Sequence, residues 1–300
     1  MRSWAAINLT TWNIRAEEWH MNAVRQVRTE QAIPVRKPGL EFDASIPRYW
    51  FGENITATHV FNGMNLVFPD GERFFVKAVF DHLDRITDPV LREQARGFAG
   101  QEGQHANQHE KYFDVLRAQG YEIETFLRRF HKFTVLTTRY LPARLRLSIT
   151  AGAEHYTAIF GVGALEDYEL LFSDMHPTMR KLIIWHATEE VEHRSVAFDV
   201  LQATHPSYVL RIIGFLIATV ALFGWTGYAT RMLLRQDGIS RELAAKHQRW
   251  IMKKTENRGL HRIKAGLRAY FRRDFHPSQY GDEIELAHRR LEQVGLSVNA

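Results

Sequence analysis

The chain has 300 residues, 45% of them hydrophobic and 24% charged, which is enough apolar material to bury a sizeable core. It contains no cysteine, so disulfides, zinc ribbons, iron-sulfur clusters and thiol catalysis are excluded and any metal chemistry must rest on oxygen and nitrogen ligands. The formal net charge of +5 is spread unevenly, and no repeat or low-complexity run points to a solenoid or a disordered array.

Residues 1–40 are rich in Trp, Asn and Arg and lack an apolar run of the secretory type. They read as a poorly specified arm, with Met21 as an alternative start. The first candidate site residue is Glu72, which follows Pro69-Asp70-Gly71 and is expected in the first turn or two of its helix, the apolar stretch before it forming a separate helix. Asp88-Pro89 is an N-cap with proline at the first helical position, opening a segment that carries Glu102 and His105 and stops near Gly120. Pro142 opens the segment with Glu154. Pro177 opens the segment with His186, Glu190 and His193, which ends before Pro206.

Glu102 and His105, and again Glu190 and His193, are Glu-x-x-His pairs, and residues three apart on a helix share one face about a turn apart. A single such pair arises by chance on charged helix faces. Two pairs interleaved with the single glutamates Glu72 and Glu154 form the ligand set of a carboxylate-bridged dimetal centre inside a four-helix bundle. His186 lies one turn before Glu190 and adds a third imidazole to that stripe. The neighbours carry plainer readings. His109 takes an outer or surface role, His155 points about 100° away from Glu154, and Tyr156 packs. Glu189 is an alternative ligand or an outer partner of the histidines, and Glu192 is solvated.

Over about residues 60–205 this pattern resembles the ferritin-like non-haem di-iron carboxylate oxygenases, closest to the arylamine (p-aminobenzoate) N-oxygenases, whose last ligand helix carries an extra histidine where His186 stands here. The runs Ile46-Pro47-Arg48-Tyr49-Trp50 and Phe68 to Phe75 also resemble the bacterial family labelled predicted metal-dependent hydrolase. The first resemblance implies two iron ions (Fe2+/Fe3+, with manganese or a mixed pair compatible), O2 and a small hydrophobic substrate, and an electron donor protein or other reductant. The alternatives are a dimetal hydrolase using a metal-bridged hydroxide, and a non-catalytic metal-binding or membrane scaffold protein.

Residues 212–230 form an uncharged apolar stretch between Arg211 and Arg231, close to the roughly 20 residues that span a bilayer. Arg231 to Arg273 then carries 13 Lys/Arg and 3 Asp/Glu, a local net charge of +10. Leu260, Ile263, Leu267 and Tyr270 recur there at helical spacing, so the block reads as amphipathic and suited to an anionic membrane surface. It lacks a nucleic-acid reading module, and nucleic acid is the weaker partner. Gly214, Gly224 and Gly227 permit close helix approach, within the chain or in a homodimer. The expectation is an all-α protein with an arm over 1–40, a ferritin-like dimetal bundle over 41–206 and apolar and basic helices over 207–300. Its expected location is the cytoplasm, at the inner face of the cytoplasmic membrane.

Overall fold

A computed structural model describes residues 33–298 except residue 53 and residues 280–282. Most of the arm, Met21 included, lies outside the described residues. Local chemistry starts the helices, and at Asp88-Pro89, Pro142 and Pro177 it does so at the residues where the sequence places them. Asn54 accepts from the Ala57 N–H and opens α1 (Ile55–Phe80), and Asp88 accepts from the Val90 N–H and opens α2 (Pro89–Ala118). Helix α3 covers Glu124–Tyr140, α4 (Ala143–Glu166) follows Pro142, and α5 (Pro177–His193) begins at its proline. Then come α6 (Val196–Thr204), α7 (Tyr208–Gln236), α8 (Arg241–Lys254), α9 (Arg258–Tyr270) and α10 (Glu283–Gln293). Among the described residues there is no strand, only an isolated bridge between Phe51 and Met175.

Two of these elements differ from the sequence expectation. Helix α1 runs straight through Pro69, so Glu72 sits past its middle rather than in a first turn. An interior proline costs about 3 kcal/mol, but α1 buries Leu66 and Val67 on one side of it and Phe74, Ala78 and Val79 on the other. One long helix fills both regions of the core at once. The segment from Pro177 also breaks, ending at His193 and restarting as α6 after Arg194 and Ser195.

The core has two apolar regions. One gathers Trp50, Tyr112, Leu116, Leu182 and Trp185, the other Leu91, Phe98, Tyr156, Phe215 and Tyr270. Four helices contribute to both: α2 passes from Leu91 and Phe98 to Tyr112, and α4 from Leu147 to Leu165. The candidate site residues lie on α1, α2 and α4, which cross between the two regions, and on α5, so the polar layer is flanked by apolar side chains.

Helix α7 packs along α1 and α4. At Gly63 a Cβ would come within 2.5 Å of Thr230 Oγ1, and at Gly214 within 2.4 Å of the Ser148 backbone, so these glycines set the helix separation. Gly224 and Gly227 have open space instead, so they make no close approach within the described chain. The opposite face of α7 is exposed as a stripe of Val209, Ile213, Leu216, Val220 and Phe223. The apolar face of α9 turns inward toward its C-terminal end, where Tyr270 is fully buried and Gly266 closes on Ile159 of α4, while Leu260 at its start is exposed. Part of the basic block is neutralised inside the protein. Arg258 and Arg262 pair with Asp167, Arg262 also with Glu166, and Arg272 with Asp274.

Candidate metal centre

Helices α1, α2, α4 and α5 bring Glu72, Glu102, His105, Glu154, His186, Glu190 and His193 together in the polar layer, all buried. His193 Nε2 lies 3.2 Å from Glu102, 3.3 Å from Glu154 and 3.4 Å from Glu190. Metal-ligand bonds of about 2.0–2.2 Å set neighbouring donors about 3.0–3.5 Å apart, so this spacing is that of a coordination shell. Around the other half, His186 Nε2 is 3.8 Å from Glu72 and 2.8 Å from Glu190, and His105 Nδ1 is 4.0 Å from Glu102 and 3.9 Å from Glu190. The donors fall into overlapping groups able to hold a metal: Glu102, Glu190 and His193; His105, His186 and Glu190; Glu72, Glu102 and His105; and Glu72, His109 and His186. Glu102 and Glu190 belong to groups on both sides, which is the geometry of shared carboxylates.

The fit to cations also shows in what these atoms lack. Both carboxylate oxygens of Glu72, Glu102 and Glu154, together with Glu190 Oε2, His105 Nδ1 and His193 Nε2, are buried without a hydrogen-bond partner. Leaving a buried polar atom unpaired costs about 1–3 kcal/mol. A protein that concentrates so many in one layer has a cluster able to hold metal ions.

Each inward imidazole is fixed from behind. His105 Nε2 lies 3.0 Å from Glu189, whose other oxygen accepts from Trp185 Nε1 (3.0 Å) and Arg36 (3.1 Å). His193 Nδ1 is 2.8 Å from Gln101 Oε1, and His186 Nδ1 is 2.7 Å from His109 Nε2. With one nitrogen engaged, the other is aimed at the carboxylates. Glu189 is therefore an outer partner of His105. His109 is fully enclosed rather than at the surface, its Nδ1 lying 2.5 Å from Asn65 Oδ1.

The electrostatics follow from four carboxylates in a dry layer. Burial pushes Glu72 and Glu154 well above the usual carboxylate range, and repulsion from Glu102 and Glu190 adds to it. Burial also raises Glu190, but His193 and His186 outweigh it and hold that carboxyl well below its ordinary value. Burial lowers His105 and His109, and the nearby His186 lowers them further. Burial opposes protonation of His193 as well, yet Glu190, Glu102 and Glu154 raise it well above the ordinary histidine value. A positive centre is what this layer favours.

Sequence reasoning missed Arg36, Asn65, Gln101, Trp185 and His288, and it misplaced Glu192. That carboxylate is not solvated; it takes a bidentate contact from Arg36 (2.8 and 2.7 Å) and further bonds from Gln101 and His288 (both 2.8 Å). The available signal was three glutamates within four residues, Glu189 to Glu192, an excess of acid that requires a cation. His155 and Tyr156 face away, His155 bonding Gly266 O (3.0 Å) and Tyr156 bonding Thr219 (2.9 Å).

Beside the layer lies a cavity of about 1250 Å³, reached at its inner end by Asn65, Phe68, His109, His186 and Glu190. The Phe68 ring lies 4.9 Å from that of His109 and 4.8 Å from that of His186. A family model described as predicted metal-dependent hydrolase matches residues 34–281. Neither a curated protein nor a solved structure matches the chain.

Proposed function

The chain belongs to the predicted metal-dependent hydrolase family, and from that premise we propose a dinuclear metal centre on a ferritin-like four-helix arrangement that oxidises an apolar or amphipathic substrate with O2. The observation that carries this reading is the pair Glu102 and Glu190, each shared between two donor groups, with three imidazoles aimed at them. Glu72, Glu102, His105, Glu154, His186, Glu190 and His193 are the proposed ligands. The resemblance to arylamine N-oxygenases, centred on His186, favours two iron ions, and manganese or a mixed pair suits the same oxygen and nitrogen donors. When bound, redox-active iron supplies electrons to O2, and a donor protein or other reductant restores them.

The chain's own residues do the rest. Glu189, Gln101 and His109 hold the three imidazoles in one tautomer. The apolar regions on either side of the layer exclude water, and Phe68 covers His109 and His186 where the cavity meets the site. An apolar substrate in the cavity would lie against that ring.

The family description favours a second reading, hydrolysis by a metal-activated water. Oxygen consumption separates the two. Protein reconstituted with Fe(II) should take up O2 when a reductant is supplied, and cleavage of an ester, amide or phosphate without O2 uptake would establish the hydrolase instead.

We place the protein at the inner face of the cytoplasmic membrane. Helix α7 is long and apolar enough to cross a bilayer by length and composition. Its inner face is committed to α1 and α4, so the exposed stripe from Val209 to Phe223 fits an interfacial contact better than a span.

A further inference from the structure

The cavity has two unlike ends. Its inner end is the buried set at His186 and Glu190, and its walls are apolar, with Phe61, Met64, Phe160, Ile183 and Leu222. Its outer end carries Arg231, Arg235 and Arg241, exposed and without an ion pair to any described residue, whereas Arg262 in the same lining is held by Glu166 and Asp167. The acidic residues of the lining are Asp167, occupied by Arg258 and Arg262, and Glu190 at the site. No acidic side chain of the lining is left to pair with the arginine end.

The helices fix how far apart the ends are. Helices α1 and α7 run antiparallel: Gly63 abuts Thr226 and Thr230, and His59 reaches Asp237 at 2.6 Å. The start of α1 thus lies beside Arg235, and Thr56 lies 3.3 Å from His247 on α8. Phe68, at the site, is twelve residues farther along, about 18 Å at about 1.5 Å per residue.

We propose that this cavity binds a single-chain anionic amphiphile, its carboxylate or phosphate head at Arg235 and Arg241 with Arg231 one turn inward, and its chain running along α1 and α7 toward His186. A chain of about a dozen carbons, advancing about 1.3 Å per extended bond, spans most of that length. Guanidinium groups suit such a head by charge and by paired hydrogen bonds. That the far end of the chain is what reacts rests on the metal-centre reading. The binding does not.

Metal-free protein titrated calorimetrically below the micelle threshold tests the proposal. Dodecanoate and dodecanoyl lysophosphatidate should bind, whichever is tighter identifying a free acid or a lipid fragment as the source. Dodecanol and dodecyltrimethylammonium should bind about tenfold more weakly or worse. The double variant Arg235→Gln, Arg241→Gln should lose about tenfold for the anionic ligands only. Gly227→Leu, which adds a side chain to the cavity where nothing lies within 4 Å of the Cβ, should remove binding while leaving metal content unchanged. Equal affinity for the cationic chain, or no effect of either variant, would overturn the proposal. Metal content measured on separate samples of the same proteins after reconstitution with Fe(II) fails independently if the centre is wrong, because amphiphile binding is read without metal.

Discussion

Gln101 touches no carboxylate of the site, yet it holds His193 Nδ1 and passes the contact on to Glu192 at 2.8 Å. Gln101→Leu should keep the fold but weaken binding of the metal nearest His193 about 10- to 100-fold, as for other outer partners of metal-bound histidines; titration with Co(II) reads this, and an unchanged isotherm would detach Gln101 from the site. Five of the seven proposed ligands were legible as local helical patterns, Glu102 with His105 and His186 with Glu190 and His193, whereas Glu72 and Glu154 stood out only by their interleaving with those pairs. The residues that support these ligands were not legible. Arg36 meets Glu189 and Glu192 across more than 150 residues, and Gln101 meets His193 across 92, separations over which no sequence periodicity carries information. Glu192 looked solvated for the same reason, its partners being distant in the chain.

At the scale of elements, the Asp88 cap with Pro89 located α2, and Pro142 and Pro177 located α4 and α5, whereas Pro69 suggested a boundary that tertiary packing overrode in α1. Glycines in α7 looked alike in sequence, but only contact distinguishes them. Gly214→Val should destabilise by about 1–3 kcal/mol in denaturant titration, because its Cβ would press on the Ser148 backbone (2.4 Å). Gly224→Ala, facing open space, should be neutral or stabilise by up to about 1 kcal/mol. Equal losses at both would contradict the account of this interface. The docking of α9 on α4 is pH-sensitive through His155, which burial lowers from 6.5 to about 4 while its bond to Gly266 O partly opposes that shift. The unfolded chain binds this proton more readily. The His155 contribution is therefore complete above about pH 6.5 and is lost as pH falls toward about 4, by about 3 kcal/mol at most. Unfolding midpoints of His155→Gln between pH 4 and 7 should show a shallower pH dependence than wild type.

For the molecule as a whole, motif spacing and the family resemblance pointed to an all-helical chain and residue patterning to one apolar and one basic segment, but the patterning did not show that the apolar helix would share its inner face with the helices bearing the site. Nor did it reveal how much basic charge is paired internally. Membrane contact should therefore depend on the outer stripe of α7. Val220, 75% exposed, can become Asp without disturbing the core, and Val220→Asp with Leu216→Asp should abolish co-sedimentation with anionic liposomes. Neutralising Lys264 and Arg268, both exposed, should lower binding by about 1 kcal/mol each at low salt and less as salt rises. Liposome binding that survives the α7 substitutions would relocate the contact. The proposed oxidation depends on whether the polar layer holds two metals. The direct measurement is metal content after anaerobic reconstitution with Fe(II): about two iron ions per chain are expected, with Glu102→Ala and Glu190→Ala each losing at least one because both carboxylates are shared. One ion or none in the wild type, or full occupancy in both variants, would contradict the dinuclear centre.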